Sequence, residues 1–466
     1  MPTRMEKDSL GEKPVPAEAY WGIQTARAVE NYPISGLRAH PRLVDAYMHQ
    51  KRASALANRD AGVLKPEVAN AIVKACDEIL GGSLRDQFVV DVFQAGAGVS
   101  QHMNTNEVLA NRAIEILGGR RGDYSVVHPN DHVNFGQSTN DTYPTAMRVA
   151  ALLGVRDLAP ILENLEKSLD AKGREFDGVL KSGRTHLQDA VPIRLGQEFA
   201  AWAGAIRRGR AALADACRHL EELGLGGTAA GTGLNTAPGY REKAIAHMRD
   251  STRLDLRPGA DMREAMQSCL PMAAVASALK LLALEAIRIT NDLRLLASGP
   301  ITGMAEIILP AVQPGSSIMP GKVNPAILEM VAMVGFQVVG NAAVVDYAVQ
   351  AGQLELNVMM PAMTLNTLSS IEILGNALKV LRTKCVEGIR ADEERCRRYA
   401  ELSPSIVTAL NPYIGYAKGA EVVKEALRSG RTIPEVVREM KLLTDAQLNE
   451  ILDPVKMTEP GITGKG

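Results

Sequence analysis

The sequence predicts a mainly α protein built around a central bundle of long helices, and three observations carry that prediction. Between about residues 141 and 394 the chain consists of extended Ala, Leu, Val and Met segments with few aromatic residues, a composition suited to packed helices. Within that stretch Leu279, Leu282, Ala286, Ile289, Leu293 and Leu296 recur at alternating short intervals, the spacing that keeps one helix face against a partner. The segment "PAILEMVAMVGFQVVGNAAVV", from Pro325, is apolar on nearly every face and is expected to be buried all round.

The elements follow in chain order. Residues 1–140 have a mixed texture, with "GEKPVP", "GLRAHP" and "GAGVS" breaking short helical segments and "VHPNDHVN" reading as turn-rich, so long helices are not expected there. Residues 141–394 form the bundle; Gly299-Pro300 ends one long helix, and "MPAMTLNTLSSIEILGNALKVL" begins another with Pro361 fitted to its first turn. Residues 395–466, with "SGRTIPEVVREMKLLTDAQLNEIL", read as short amphipathic helices of a small terminal unit. A chain of 466 residues is long enough for about three domains. Helices this apolar on more than one side predict self-association into a homo-oligomer.

Composition narrows the function. The 52 basic and 53 acidic residues leave a formal charge of -1, which gives no general field for nucleic acid or an anionic membrane. Any anion must be bound locally. Cys76, Cys217, Cys269, Cys385 and Cys396 lack CxxC or Cys/His spacing, so neither a disulfide framework nor a zinc site is expected. No metal or cofactor motif is visible. The start, "MPTRMEKDSLGEKPVP", has no apolar core of a signal peptide, and no apolar run approaches the roughly 20 residues that cross a bilayer, so the expected location is cytoplasmic.

The chemistry concentrates in loops that lead into helices. In "GSSIMPGKVNP", Asn324 is a candidate N-cap and Pro325 suits the first turn of the following helix, so the loop feeds a helix N-terminus with unpaired N–H groups. Lys322 adds a full positive charge, while Ser316 and Ser317 lie on a flexible lead-in able to close over an anion; a capped surface loop is the plainer reading. "GQSTND" places Ser138, Thr139 and Asn140 before Tyr143-Pro144, where a helix could begin, as a plain cap or as an anion site. "GRTHLQDAVP" supplies Thr185 and His186 on a non-helical segment ahead of a helix near Ile193. Glu329, one turn into its helix, could charge an imidazole or serve a buried ion pair. "GLGGTAAGTGLN" contains a GxGxxA match at Gly224, Gly226 and Ala229, but it follows a helical segment, so a close-packed turn is expected instead of a dinucleotide site.

Together, "GSSIMPGKVNP", "GRTHLQDAVP", "GQSTNDTYPTA", "GGTAAGTGLN" and "MNTNEVLANRA" resemble the aspartase/fumarase superfamily, in order from about Arg4 to the C-terminus. The "QSTND", "GQLELNVM" and "LNPYIGY" runs and the tail "ILDPVKMTEPGITGK" are more similar to aspartate ammonia-lyases than to class II fumarases. The resemblance implies a largely helical three-domain fold, a homotetramer around a multi-helix core, and active sites shared between subunits. It also implies reversible anti-elimination of ammonia from L-aspartate to fumarate through an aci-carboxylate, with no cofactor. Carried over to this chain, Ser316 would be the base, assisted by loop amides and Lys322. Thr185, Lys322 and Asn324 would bind one carboxylate, and Ser138, Thr139 and Ser317 the other. Asn140 and His186 would lie near the amino group, with Glu329 behind the histidine.

Two positions depart from the family pattern. Val99 stands where threonine is usual and His102 where asparagine is usual. Valine keeps the shape of threonine and removes a hydrogen bond that is worth about 1.5–3 kcal/mol to a charged acceptor. A protonated His102, or Ser100, could replace the lost donor. Otherwise the substrate is an N-substituted aspartate or another succinate derivative that releases fumarate. Hydration by a class II fumarase is the remaining alternative.

Overall fold

A computed structural model describes residues 2–465 and is predominantly helical, as the sequence predicts. The chain divides into two compact units, one formed by residues 1–160, 209–284 and 334–375, the other by residues 161–208, 285–333 and 376–466.

The first unit opens with an antiparallel hairpin of β1 (Thr3–Asp8) and β2 (Gly11–Pro16), paired from Thr3 with Pro16 to Asp8 with Gly11. "GEKPVP" is therefore a strand, not only a breaker. Helices α1 (Ile23–Asn31), α2 (Pro41–Asp60), α3 (Pro66–Leu80) and α4 (Val99–Ile116) follow. At 20 and 18 residues, α2 and α4 overturn the expectation of short helices in this region. Their inward faces are unusually polar, which hid them. In α4, Gln101, His102, Asn104, Asn106 and Glu107 are all buried. Glu107 shows why: its carboxylate accepts from the backbone N–H groups of Gly22, Gln24 and Thr25 and from the Thr25 hydroxyl, gathering the donors at the start of α1.

Five long helices contribute to both units: α5 (Thr139–Glu175), α6 (Leu195–Cys217) and, after α7 (Tyr240–Thr252) and α8 (Met262–Gln267), α9 (Leu270–Leu296), α10 (Ala326–Gln350) and α11 (Met360–Lys384). Pro361 lies in the first turn of α11, as expected. Every member of the predicted stripe in α9, from Leu279 to Leu296, is buried. α10 differs from expectation: Met333, Phe336, Val344 and Tyr347 are exposed, with Tyr347 at 73%. Their spacing places them along one stripe of the helix, a face for which a single chain supplies no cover. α9 and α10 are also long and apolar enough to cross a membrane by length and composition, contrary to the expectation that no such run exists.

The second unit contains the antiparallel hairpin β3 (Leu180–Thr185) and β4 (Gln188–Arg194), with Thr185 opposite Gln188. Its terminal portion carries α12 (Glu393–Leu402), α13 (Asn411–Ile414), α14 (Tyr416–Ser429), α15 (Ile433–Glu439) and α16 (Asp445–Ile451). Leu410, Val422, Val436, Val437, Leu448 and Ile451 belong to one core cluster there. Thr432 with Glu435, and Thr444 with Gln447, form reciprocal caps at the starts of α15 and α16.

Candidate active site

In the first unit, Gly98 turns the chain into α4 with a φ of +80°, and an added Cβ there would run into the Tyr143 ring. That close approach sets the starts of α4 and α5 side by side. Ser138 precedes α5 and its hydroxyl accepts from the Asn140 N–H at 3.2 Å. Asp141, wholly buried, accepts from the N–H groups of Ser138, Gly226 and Thr228 at 2.9–3.0 Å. The Asn140 side chain donates to the Ala229 carbonyl at 2.8 Å. The 224–235 loop is thus the close-packed turn expected, and it is bolted to the Ser138–Asn140 segment. Burial raises the Asp141 carboxyl to about 6, against the pull of those three amide donors.

His102 is 1% exposed and lies behind Thr139, with its Nδ1 2.7 Å from the threonine hydroxyl. Its Nε2 is 2.7 Å from the ammonium of Lys51, a wholly buried residue of α2, and Tyr47 stacks on the ring. Burial, reinforced by the neighbouring Lys51 charge, holds the imidazole well below its usual range, so it is neutral. His102 is therefore not the protonated donor that the loss of threonine at Val99 invited. Val99 itself is exposed. Ser100 is buried and lines a cavity of about 510 Å³ with Arg27, Glu107, Tyr124 and His128.

In the second unit, the tip of the β3–β4 hairpin carries Thr185 and His186. His186 and Leu187 form a two-residue turn with φ of 55° and 61°, a conformation that favours Gly and Asn. A buried charge cluster holds the approach to this tip. Arg184 donates to both oxygens of Glu306 at 2.9 and 3.0 Å, while Lys181 reaches Glu198 at 2.9 Å and Glu306 at 3.3 Å.

The same unit holds the "GSSIMPGKVNP" loop. The Ser316 hydroxyl oxygen accepts from the backbone N–H groups of Ile318 at 3.3 Å and Met319 at 3.0 Å. The Gly315 N–H donates to the Lys322 carbonyl at 2.8 Å, and a Cβ on Gly315 would collide with that same oxygen. Asn324 does not cap α10. Its side-chain amide donates instead to the Gly315 carbonyl at 2.5 Å, tying the two ends of the loop together. Ser317 and Lys322 are exposed, and among the described residues the Lys322 side chain has no ion pair or hydrogen bond. Glu329 lies 3.9 Å from Arg294, and no hydrogen bond joins it to His186 among the described residues. The structure therefore brings Ser138, Thr139, Asn140 and His102 together in one unit, and Ser316, Lys322 and Asn324 onto one loop of the other.

Sequence reasoning missed Lys51 and Asp141. Leu43, Tyr47, Lys51, Ser54 and Asn58 are all buried and follow helical spacing, so a lysine interrupting that stripe was the available signal. Among the described residues no cluster of His, Cys, Asp and Glu could hold a metal ion.

Comparison with known proteins places these features in a family. Residues 11–340 match the family described as Lyase, and residues 406–459 match the fumarase C C-terminus. An aspartate ammonia-lyase from a Bacillus species is 47% identical, with 99% of each chain covered. A class II fumarate hydratase from Halobacterium salinarum is 50% identical, with 98% of each covered. The crystal structure of fumarate lyase:delta crystallin from Brucella melitensis, bound to cobalt, is 49% identical and superposes with a TM-score of 0.96, covering 98% of this chain and all of that one. With matching sequence blocks from end to end and a matching fold, this chain belongs to the lyase family of the aspartase/fumarase superfamily.

Proposed function

We propose that this lyase catalyses the reversible anti-elimination of ammonia from L-aspartate, giving fumarate through an aci-carboxylate intermediate. The observation that carries the reading is the pair of backbone N–H groups donated to the Ser316 hydroxyl oxygen. An ordinary serine is far too weak an acid to act as an oxyanion at neutral pH. Two amide dipoles and the Lys322 charge on the same loop favour that oxyanion electrostatically.

Ser316 takes the proton from the carbon next to one carboxylate. The electron pair moves into that carboxylate, which becomes the doubly charged aci-form, and its collapse expels the amino group from the neighbouring carbon as ammonia. Thr185, Lys322 and Asn324 bind one carboxylate; Ser138, Thr139 and Ser317 hold the other and stabilise its added charge. Asn140 and His186 face the amino group, with Glu329 supporting the histidine. The exposed apolar stripe of α10 supports a homotetramer whose sites draw residues from several subunits. The proposed organisation has boundaries near residues 140 and 394, and the proposed location is cytoplasmic.

A second reading rests on Val99, whose exposed methyl groups replace a hydroxyl while His102 is turned inward. A pocket short of one donor fits an N-substituted aspartate or another succinate derivative that releases fumarate. The likeness to a class II fumarate hydratase supports hydration as a further alternative. Incubating the purified protein with fumarate and ammonium separates these readings. Aspartate is the expected product; malate formed without aspartate assigns hydration, and no reaction favours a modified substrate, to be sought in a screen of fumarate-releasing compounds.

A further inference from the structure

Four side chains behind Thr139 form a proton-ordered chain whose direction follows from donor and acceptor counting. The Asn134 side-chain amide donates to the Gln137 carbonyl at 3.2 Å, and the Gln137 amide donates to the Val133 carbonyl at 3.1 Å and the Phe135 carbonyl at 3.3 Å. Those contacts fix both amide orientations. The oxygens Asn134 Oδ1 and Gln137 Oε1 consequently face Lys51 Nζ, at 3.0 and 2.9 Å, and both can only accept.

Below about pH 7 Lys51 is an ammonium, with three N–H bonds and no lone pair. Two go to these amide oxygens, and the third points at His102 Nε2, 2.7 Å away. The Thr142 hydroxyl is a more distant neighbour of the same nitrogen, at 3.3 Å, and the Asn134 side chain also neighbours the ring, but an Nε2 hydrogen given to it would face the Lys51 ammonium. With Nε2 accepting, a neutral imidazole carries its hydrogen on Nδ1 and donates it to the Thr139 hydroxyl oxygen at 2.7 Å. That oxygen accepts no other hydrogen bond among the described residues, and the threonine's own hydrogen remains available to donate outward.

We propose that Lys51 is a positioning residue that, by fixing the His102 tautomer, holds the Thr139 hydroxyl as an outward donor to a substrate carboxylate. The inference rests on the reading above that Thr139 contacts substrate. Without the lysine, Nε2 is free to take the hydrogen, Nδ1 turns acceptor, and Thr139 spends its hydrogen inward. A lone pair then faces the anion.

The test compares fumarate binding by calorimetry at about pH 6, where Lys51 keeps its proton, in the folded oligomers of wild type, Lys51→Met, His102→Asn, the Lys51→Met/His102→Asn double variant and Thr139→Val. An asparagine amide sits one bond beyond Cγ, as Nδ1 does, and can donate to Thr139 whatever occupies position 51. Lys51→Met is expected to weaken fumarate binding by about 10-fold or more, as loss of a hydrogen bond to a charged group does. In the His102→Asn background the same change is expected to cost less than about 3-fold, a rescue that a merely structural lysine does not produce.

Wild-type affinity in folded Lys51→Met, or an equal loss in both backgrounds, overturns the proposal. If Lys51→Met does not fold, His102→Phe keeps the ring stack and removes both nitrogens. It is expected to lose the same factor, and retained affinity overturns the proposal. Wild-type affinity in Thr139→Val refutes the substrate contact itself, whereas weakening in Thr139→Val without weakening in Lys51→Met refutes only the relay.

Discussion

At the residue scale, the candidate site depends on polar groups whose protons and charges are set by what surrounds them. Ser316 receives two amide N–H groups, and the Lys51 ammonium, while it keeps its proton, spends its three N–H bonds on three inward acceptors. Burial pulls the Lys51 ammonium down to about 7 from an ordinary 10.5, with the Asp141 carboxylate opposing the shift; Cys76 and His102 also face it. The sign follows from proton counting. Below about pH 7 both native and unfolded Lys51 are charged, and the full desolvation cost is present. Between about 7 and 10.5 the unfolded chain binds the proton that the native state has released, so the Lys51 contribution to stability rises with pH. The urea midpoint of wild type is expected to climb relative to Lys51→Met as pH is raised through that window. A difference between the two proteins that stays flat, or falls, contradicts this account of Lys51.

At the scale of elements, the two motif segments owe their shapes to different devices. The Ser316 loop is closed at its base by Asn324 and Gly315, so its hydroxyl is presented without help from a regular helix. The His186 turn is closed by strand pairing, and it forces two side-chain-bearing residues into positive φ. Leu187 is 64% exposed, so its conformational cost is not repaid by burial within the chain. Leu187→Gly is expected to raise stability by about 1 kcal/mol, measured by chemical denaturation. Unchanged or lower stability means that Leu187 is held by contacts outside the single chain. The hairpin also shows what the sequence conceals. "GRTHLQDAVP" was legible as non-helical from Gly183 and Pro192, but the pairing of Thr185 with Gln188 was not, because His-Leu is a poor signature for a two-residue turn.

At the scale of the whole molecule, the helical architecture was legible because apolar spacing survives in α9 and Pro361 marks the first turn of α11, even where neighbouring helices do not follow such a pattern. α4 was not legible as a long buried helix, since its buried face mixes Val108, Leu109 and Ile114 with His102, Asn104 and Glu107, whose side chains find hydrogen-bond partners inside the protein. The candidate site was legible as motifs, one loop at a time. Lys51 stayed hidden because a lone lysine in a helix ordinarily marks a solvated face, and its partners are 51, 83 and 86 residues away along the chain. The α10 stripe adds a lesson about scale: a helix apolar on nearly every side need not be covered by its own chain.

The central claim is that the Ser316 hydroxyl, held by loop amides, takes the proton whose removal starts the elimination. Steady-state turnover of Ser316→Ala, measured on the intact oligomer with the substrate found by product analysis, tests it most directly. The expected result is a loss of about 100- to 10,000-fold in kcat with the fold and fumarate affinity largely preserved. Turnover at the wild-type rate in a folded Ser316→Ala oligomer contradicts it.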